Sequence, residues 1–284
     1  MSSKKMLLGV VCFCMIILCA CGEEQEADEE KQTGQNAEKP EIVIELPVPE
    51  NESEETLEEA NQTGPDESEK KEFLISIDPG HQSPEVDMSA KEPNAPGSSN
   101  MKTKATGGTT GRYSGIPEYQ LNLDISLMLR DELEAQGYDV IMTRENNDTA
   151  ISNAERATLA NEAGADIAVR IHANGSESTS ANGALVLIGS SDNPYVGSLY
   201  EESLSLGEKV LDAYCSATGM KNLGVQTNDT MTGINWSQIP VIILEMGFMT
   251  NEQDDLNMAD SGYREKMVEG IVTGINAYYE SVRG

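Results

Sequence analysis

Histidine and cysteine are scarce in this 284-residue chain, which contains two histidines and five cysteines. Four of the cysteines lie within the first 21 residues, and only Cys215 lies beyond them. A single remaining thiol cannot form an internal disulfide, which excludes a disulfide framework. We expect Cys215 to be a buried thiol on a helix and not a metal ligand. Stability must therefore come from a hydrophobic core, with or without a bound metal.

Several common catalytic motifs are also absent. The sequence contains no His-Glu-x-x-His helix, which excludes a thermolysin-like zinc site, and no Cys-x-x-Cys pair after residue 21, which argues against a structural zinc site. It has no Gly-x-Ser-x-Gly elbow and no Gly-x-x-x-x-Gly-Lys phosphate loop. A Ser-His-Asp triad would use one histidine and leave the other unexplained.

Basic residues are few as well. Nineteen lysines and arginines stand against 49 aspartates and glutamates, so the formal net charge is −30. Half of that charge lies between residues 23 and 72, where 19 acidic residues and four lysines give a net of −15. We expect residues 22–71 to form a disordered acidic linker, because they offer too little apolar surface to offset the entropy lost on ordering. The acidic balance argues against nucleic acid as a partner, since phosphates would be repelled.

The first 21 residues have a different composition. Lys4 and Lys5 precede an apolar run from Met6 to Leu18, which is too short to span a bilayer comfortably. This arrangement is typical of a signal peptide. The following Leu-Cys-Ala-Cys21-Gly segment resembles a lipoprotein lipobox, in which Cys21 is lipidated and becomes the mature N-terminus. An ordinary secretory signal or a single membrane anchor is the alternative.

A lipid on Cys21 predicts an exported, membrane-anchored protein on the outer face of the bacterial cytoplasmic membrane or in the cell-wall space. A linker of roughly fifty residues would span about 40 Å as a simple coil, and more if its charges repel one another. The expected organisation is a signal peptide at 1–21, the linker at 22–71 and a catalytic or binding domain at 72–284.

From residue 72 onward, short apolar runs alternate with amphipathic stretches. This pattern predicts an α/β fold with a single domain, in which a mostly parallel, twisted sheet is covered by helices on both faces. The predicted strands are 73–77, 138–143, 167–171, 184–188 and 240–244, and the predicted helices are 117–137, 152–164, 199–217 and 263–282. The polar segment 82–115 is predicted to be a long loop, and loops of that length tend to be functional.

Both histidines lie where a predicted strand ends. His81 follows the first strand through a Pro-Gly turn, and His172 follows the third strand directly. Glu245 ends the apolar strand 240–244, and Glu118 lies in the first turn of the helix that Pro117 opens. Because the C-terminal ends of parallel strands share one edge of a sheet, we expect these four side chains to converge.

Two imidazoles and one carboxylate are a common ligand set for catalytic zinc, and a second carboxylate can then act as general base. An isolated histidine in a turn is more often only hydrogen-bonded, so the joint placement of His81 and His172 is what favours a metal. The residues alone leave open whether Glu118 or Glu245 is the ligand. Glu85 and Asp87 in the loop also compete with Glu118, although a helix start holds a ligand more firmly than a flexible loop.

Five segments stand out in this order along the chain: Ile-Asp-Pro-Gly-His81, Glu118 before its Asn- and Leu-rich helix, Met-Thr-Arg144, Ile-His-Ala-Asn174 and Leu-Glu-Met-Gly-Phe-Met-Thr-Asn251. Together they resemble the zinc-dependent N-acetylmuramoyl-L-alanine amidases of the amidase-3 type, over roughly residues 73–280. The resemblance implies one Zn²⁺ held by His81, Glu118 and His172, with Glu245 as the catalytic glutamate.

It also implies that the substrate is peptidoglycan and that the amide between N-acetylmuramic acid and L-alanine of the stem peptide is cleaved. The alternatives are a non-catalytic peptidoglycan-binding lipoprotein and a zinc peptidase acting within the stem peptide. We expect a monomer.

The sequence departs from the family pattern beside the expected cleft. Gln82 and the long loop follow His81 where the family often has a Gly-Gly pair, and Arg170 stands where a serine is common. Neither departure changes one of the four site residues. Both therefore bear on the preference for particular stem peptides and not on the chemistry. Arg144 and Arg156 are expected to be structural ion-pair partners. Trp236 and Tyr195 fit a glycan groove or a core or rim position equally well.

Overall fold

The computed structural model of the protein describes residues 70–284. The predicted signal peptide, the lipidation site Cys21 and nearly all of the predicted acidic linker lie outside the described residues. Within residues 70–284, no helix is both long enough and apolar enough to cross a membrane.

The described residues form eight strands and six α-helices. The strands are β1 Leu74–Pro79, β2 Lys91–Pro93, β3 Met101–Thr103, β4 Asp139–Met142, β5 Ile167–Asn174, β6 Ala184–Ile188, β7 Asn222–Thr227 and β8 Val241–Phe248. The helices are α1 Glu118–Ala135, α2 Asn153–Glu162, α3 Tyr200–Thr218, α4 Thr232–Asn235, α5 Glu252–Ala259 and α6 Ser261–Arg283. The five predicted strands and four predicted helices are all present, with ends that differ by a few residues.

Six of the strands form one sheet in the order β4-β1-β5-β8-β6-β7. β4, β1, β5 and β8 are parallel, while β6 runs antiparallel to β8 and β7 runs parallel to β6. The central strands β1, β5 and β8 are buried along most of their length, as expected of parallel strands covered on both faces. The mostly parallel sheet is confirmed, and it brings the C-terminal ends of β1, β5 and β8 side by side.

Helices α1, α3 and α6 pack on the larger hydrophobic core. In α1 a stripe of apolar residues at every fourth position is buried, with Leu121, Ile125, Leu129 and Leu133 at most 1% exposed. A smaller cluster on other residues of the sheet includes Ala160 of α2 and Ile234 of α4. Shortening one of the larger buried side chains to alanine would cost about 2–5 kcal/mol.

The predicted loop 82–115 is partly structured, which corrects the sequence-based expectation. β2 and β3 form an antiparallel hairpin in which Lys91 pairs with Thr103 and Pro93 with Met101. Each strand is only three residues long and contains charged residues or proline. Neither therefore has the alternating apolar pattern that would predict a strand. The hairpin is anchored by contacts to distant elements, which local sequence does not reveal.

Three further elements have weak sequence signals. β7 is an edge strand that is partly exposed throughout and contains Gly224 at φ +82°. α4 has four residues, and α5 follows the Asn251 cap with mainly polar residues. Their place in the fold depends on tertiary packing and not on periodicity.

Candidate metal centre

His81 has an unusual backbone conformation at the end of β1. Its φ is +66°, and among the described residues no other non-glycine residue has a positive φ. Arg156 donates hydrogen bonds to the carbonyls of Pro79 and His81 at 2.6 and 2.8 Å, and Arg144 donates to those of Pro79 and Gly80 at 3.0 and 3.1 Å. Two buried guanidinium groups therefore hold the turn in a conformation that costs about 1–3 kcal/mol.

The His81 ring is oriented through its two nitrogens. Nδ1 lies 3.2 Å from both the carbonyl oxygen and the hydroxyl of Thr106. Nε2 lies 2.9 Å from Oε1 of Glu118. Nε2 is thus placed to donate to Glu118. With Nδ1 donating its proton to the Thr106 carbonyl, the lone pair of Nε2 would be available to a metal bound between the ring and the carboxylate.

His172 on β5 faces the same carboxylate. Its Nδ1 lies 3.4 Å from Oε1 of Glu118, and its ring centroid lies 4.7 Å from that of His81. Its Nε2 is buried with no hydrogen-bond partner within the described part of the chain. That edge of the ring packs on Gly80, where an added Cβ would overlap the ring atoms. Burial lowers the pKa of His172 to about 4, so the imidazole is neutral at neutral pH and able to bind a metal.

Glu118 begins α1 and is buried. Its Oε2 accepts a hydrogen bond from the Thr109 amide at 2.8 Å, and its Oε1 accepts one from the Ala173 amide at 3.2 Å. Burial alone would raise the pKa of Glu118, but hydrogen bonds from His172 and His81 outweigh it and hold the pKa well below its usual range. The carboxylate is therefore ionised and suited to a cation.

These three side chains form one candidate metal site. A ligand atom from each of His81, Glu118 and His172 lies within 4.8 Å of the others. Glu85 and Asp87, the competing acidic residues of the loop, do not belong to this cluster. Two imidazoles and one ionised carboxylate fit a divalent cation that prefers mixed nitrogen and oxygen ligands.

Glu245 lies beside the cluster on β8. It pairs with His172 in the register of β5 and β8, and its Oε2 is buried without a hydrogen-bond partner among residues 70–284. Burial, followed by the negative charge of Glu118, raises the pKa of Glu245 to about 8. A cavity of about 450 Å³ is bordered by Glu245, His81 and His172, so the carboxyl group can meet a ligand that enters beside the metal site.

A buried charge cluster beneath the site was not foreseen from the sequence. Asp78 binds Arg156 through Oδ1 and Arg170 through Oδ2, each at 2.6 Å. Burial alone would raise the pKa of Asp78, but the two guanidinium groups outweigh it and hold the pKa far below its usual range. Asp78 in the Ile-Asp-Pro-Gly-His81 segment is a sequence signal of a buried ion pair, because a charged residue rarely lies in a buried strand without a partner.

Two of the arginine predictions can now be compared with the structure. The ion-pair role predicted for Arg156 is confirmed. The same prediction for Arg144 is wrong, because its contacts among the described residues are backbone carbonyls and the Asn147 side chain. A guanidinium group offers five donors, and carbonyl oxygens at a sharp turn use them as effectively as a carboxylate does.

The two aromatic residues considered for a glycan groove lie elsewhere. The half-buried Trp236 donates from Nε1 to the Pro93 carbonyl at 2.9 Å and so supports the hairpin. Tyr195 is an exposed surface residue. In the described part of the chain, neither borders the cavity that contains Glu245.

Comparison with known proteins agrees with this geometry. The Amidase_3 family, described as N-acetylmuramoyl-L-alanine amidase, matches residues 75–277. The amidase LytC of Bacillus subtilis is 30% identical over 168 residues, which cover 58% of this chain and 32% of LytC. The chain thus spans about a third of that relative. The amidase Rv3717 of Mycobacterium tuberculosis is 27% identical over 215 residues, covering 72% of this chain and 86% of Rv3717.

The crystal structure of the N-acetylmuramyl-L-alanine amidase Ami1 from Mycobacterium smegmatis has a TM-score of 0.68 and 26% identity, and covers 75% of this chain and 100% of that one. Sequence match, fold and site geometry lead to one assignment. The chain belongs to the N-acetylmuramoyl-L-alanine amidase family, whose model matches residues 75–277.

Proposed function

We propose that this protein is a zinc-dependent amidase that hydrolyses the bond between N-acetylmuramic acid and L-alanine of the stem peptide, in remodelling of the cell wall. The observation that carries the proposal is the cluster of His81, Glu118 and His172 with the unpartnered carboxyl of Glu245 beside it. Membership of the amidase family supports the choice of bond.

The residues present fit one zinc ion per domain. His81, Glu118 and His172 would hold it, since tetrahedral catalytic zinc commonly takes three protein ligands and leaves a fourth position open. When bound, zinc polarises a carbonyl and lowers the pKa of water toward about 7. The Thr106 carbonyl would accept the Nδ1 proton of His81 and leave Nε2 for the metal, and the Thr109 and Ala173 amides orient the carboxylate of Glu118.

Glu245 is proposed to move the proton. It accepts the proton of the attacking water and delivers it to the nitrogen of L-alanine, because an amide anion is too poor a leaving group to depart unprotonated. A carboxyl whose pKa lies near the working pH can serve both as acceptor and as donor. Burial and the charge of Glu118 raise the pKa of Glu245 to about 8, and a bound cation would lower it toward neutrality.

Digestion of purified peptidoglycan tests the activity. With zinc present, mass spectrometry should find stem peptides with a new L-alanine amino terminus and glycan strands that remain intact. Glu245→Gln should lose hydrolysis while retaining stoichiometric zinc, whereas His81→Ala should lose both. Cuts between amino acids of the stem would favour the peptidase alternative, and binding without any product would favour the non-catalytic one.

We further propose the organisation that the N-terminal sequence suggests. The signal peptide at 1–21, the lipid on Cys21, the linker at 22–71 and the catalytic domain at 72–284 would place a monomeric enzyme on the outer face of the membrane. Supporting observations are the basic and apolar pattern before Cys21 and the charge of the linker. Cys21→Ala should release the protein from the membrane fraction; continued membrane association of a processed chain would contradict the lipid anchor.

A further inference from the structure

The β2–β3 hairpin, residues 91–103, is fixed against the rest of the domain at two points. On one side, the Glu92 carboxylate accepts a hydrogen bond from the Ala154 amide in the first turn of α2, at 3.2 Å. On the other, Pro93 accepts from Trp236 and Asn94 from the Thr232 hydroxyl, at 2.9 and 3.1 Å. The hairpin is therefore an anchored wall beside the C-terminal edge of the sheet and not a flexible flap.

This wall borders the cavity that contains the reaction site. Lys102 and Thr103 of β3 line the same cavity of about 450 Å³ as His81, His172 and Glu245. That volume is typical of a site for a small molecule or a short peptide segment. It would hold the scissile amide and the first stem residues, whereas the remaining stem and the glycan must lie outside it.

Lys102 is a cation at this cavity that has no ion-pair partner among the described residues. Within residues 70–284 its ammonium group makes no hydrogen bond and no ion pair. Its neighbour across the hairpin is Glu92, but that carboxylate is turned to the α2 amide. Arg170 also borders the cavity, yet its Nε and Nη2 are bound to Asp78 and Asn153.

The acidic groups of this region have other roles in the proposed reaction. Glu245 borders the cavity and Glu118 lies behind the two histidines, which leaves the Lys102 ammonium as the side-chain cation that an anionic substrate group can meet there. Stem peptides carry a free carboxylate on their second residue, next to the L-alanine whose amide is cut, or an amide in that place when the residue is isoglutamine. A charge-assisted hydrogen bond separates these two forms well, since only the carboxylate can pair with an ammonium group.

We propose that Lys102 determines specificity by pairing with the carboxylate of the second stem residue. The inference rests on the amidase function proposed above and deepens it. It assigns the hairpin a task, which is to present a cation to the cavity that contains the reaction site. It also gives a function to the segment after His81, in which this chain departs from the usual family pattern.

The test compares two defined substrates, MurNAc-L-Ala-D-Glu-L-Lys and its counterpart with D-isoglutamine at the second position. The zinc-loaded enzyme should prefer the carboxylate form by about tenfold in kcat/KM, which corresponds to one charge-assisted hydrogen bond. Lys102→Met should bring the ratio to about one, mainly by raising KM for the carboxylate substrate. Lys102→Arg should keep most of the preference.

Lys104→Ala is the matched control. It removes the same charge two residues away, but Lys104 does not border the cavity and its charge acts on Glu155. This variant should keep the wild-type ratio, which separates a specific contact from a general change of charge. Thermal unfolding of each variant checks that the fold is retained.

If the enzyme hydrolyses these substrates, two results would contradict the role of Lys102 without affecting the proposed amidase function. One is an equal kcat/KM for the two substrates in the wild type, and the other is a preference that Lys102→Met leaves unchanged. Absence of hydrolysis of either substrate by the zinc-loaded wild type would overturn the proposed amidase function, and this inference with it.

Discussion

Gly80, in the turn before His81, leaves the space that the ring of the candidate metal ligand His172 occupies. The Cα of Gly80 faces the ring of His172, and a Cβ there would overlap Nε2 and Cε1 of that ring. The ring cannot retreat easily, because it is buried and its Nδ1 faces Glu118. A methyl group at this position would therefore push one of the three ligands out of place.

We predict that Gly80→Ala lowers zinc affinity by at least tenfold, the size of loss typical when the support of a metal ligand is removed. Activity should fall with it. Zinc competition against a chromophoric chelator measures the affinity. Gly107→Ala is the control, since a Cβ there meets only the Gln82 carbonyl at 3.7 Å; equal affinities for both variants and the wild type would contradict the role of Gly80.

The ionisation of Asp78 should make the free energy of unfolding depend on pH. Its folded-state pKa is held far below the ordinary value of 3.8 by Arg156 and Arg170, against the opposing effect of burial. A carboxyl with a lowered pKa stabilises the folded state above its unfolded pKa, and the stabilisation is lost as the pH falls toward the folded value. The free energy of unfolding should thus decline below about pH 4.

Asp78→Asn should cost about 3–5 kcal/mol at pH 7, because it leaves two buried guanidinium groups without their carboxylate. The variant should also lose less stability than the wild type when the pH drops from 5 to 2. Urea unfolding at several pH values checks both statements. Parallel acid profiles for the two proteins would show that Asp78 is not the group that titrates.

At the residue scale, the sequence predicts the site residues and not their surroundings. His81, His172 and Glu245 each follow an apolar strand, and Glu118 opens an amphipathic helix, so local patterns place all four at one edge of the sheet. The contact of Gly80 with His172 joins residues of two neighbouring strands that are far apart in the sequence. Such a contact depends on side-chain packing, which no local pattern encodes.

At the scale of elements, α2 and the hairpin illustrate what can and cannot be foreseen. The start of α2 is visible in the sequence as the Ser-x-x-Glu pattern of a capping box, and both hydrogen bonds between Ser152 and Glu155 are present. The hairpin was missed because its stability comes from Glu92, Pro93 and Asn94, whose partners lie in α2 and in the region of α4 and Trp236. Pattern recognition finds elements that are stable by their own periodicity, and it misses those held by distant contacts.

Glu92→Gln is predicted to loosen the hairpin while the domain stays folded. The α2 amide would lose a charge-assisted hydrogen bond, which is worth about 1.5–3 kcal/mol, and the change should be local because the hairpin lies outside the main sheet. Limited proteolysis within residues 91–104 should accelerate several-fold. Glu85→Gln, an exposed change in the same segment, serves as control, and equal cleavage rates would contradict the anchoring role of Glu92.

At the scale of the whole molecule, the candidate metal site joins the turn after β1 with β5 and α1, and Glu245, the proposed catalytic glutamate, lies on β8. Parallel strands β1, β5 and β8 are adjacent in the sheet, so their ends meet although the residues are up to 164 positions apart in the sequence. The alternation of strands and helices predicts a shared edge, but it does not give the order of the strands. That order follows from packing of the whole core.

Because the three ligands come from separate elements, zinc should bind the folded domain and not the unfolded chain. Such a ligand stabilises the fold by about 2.7 kcal/mol when its free concentration is 100 times Kd. For a domain of this size, that corresponds to a rise in Tm of about 5–10 °C. Removal of zinc with a chelator should therefore lower Tm by that amount in the wild type and in Glu245→Gln, which keeps all three ligands, whereas His81→Ala should not respond. A Tm that is insensitive to zinc in the wild type would mean that the three side chains do not form a metal site, and the proposed chemistry would fall with it.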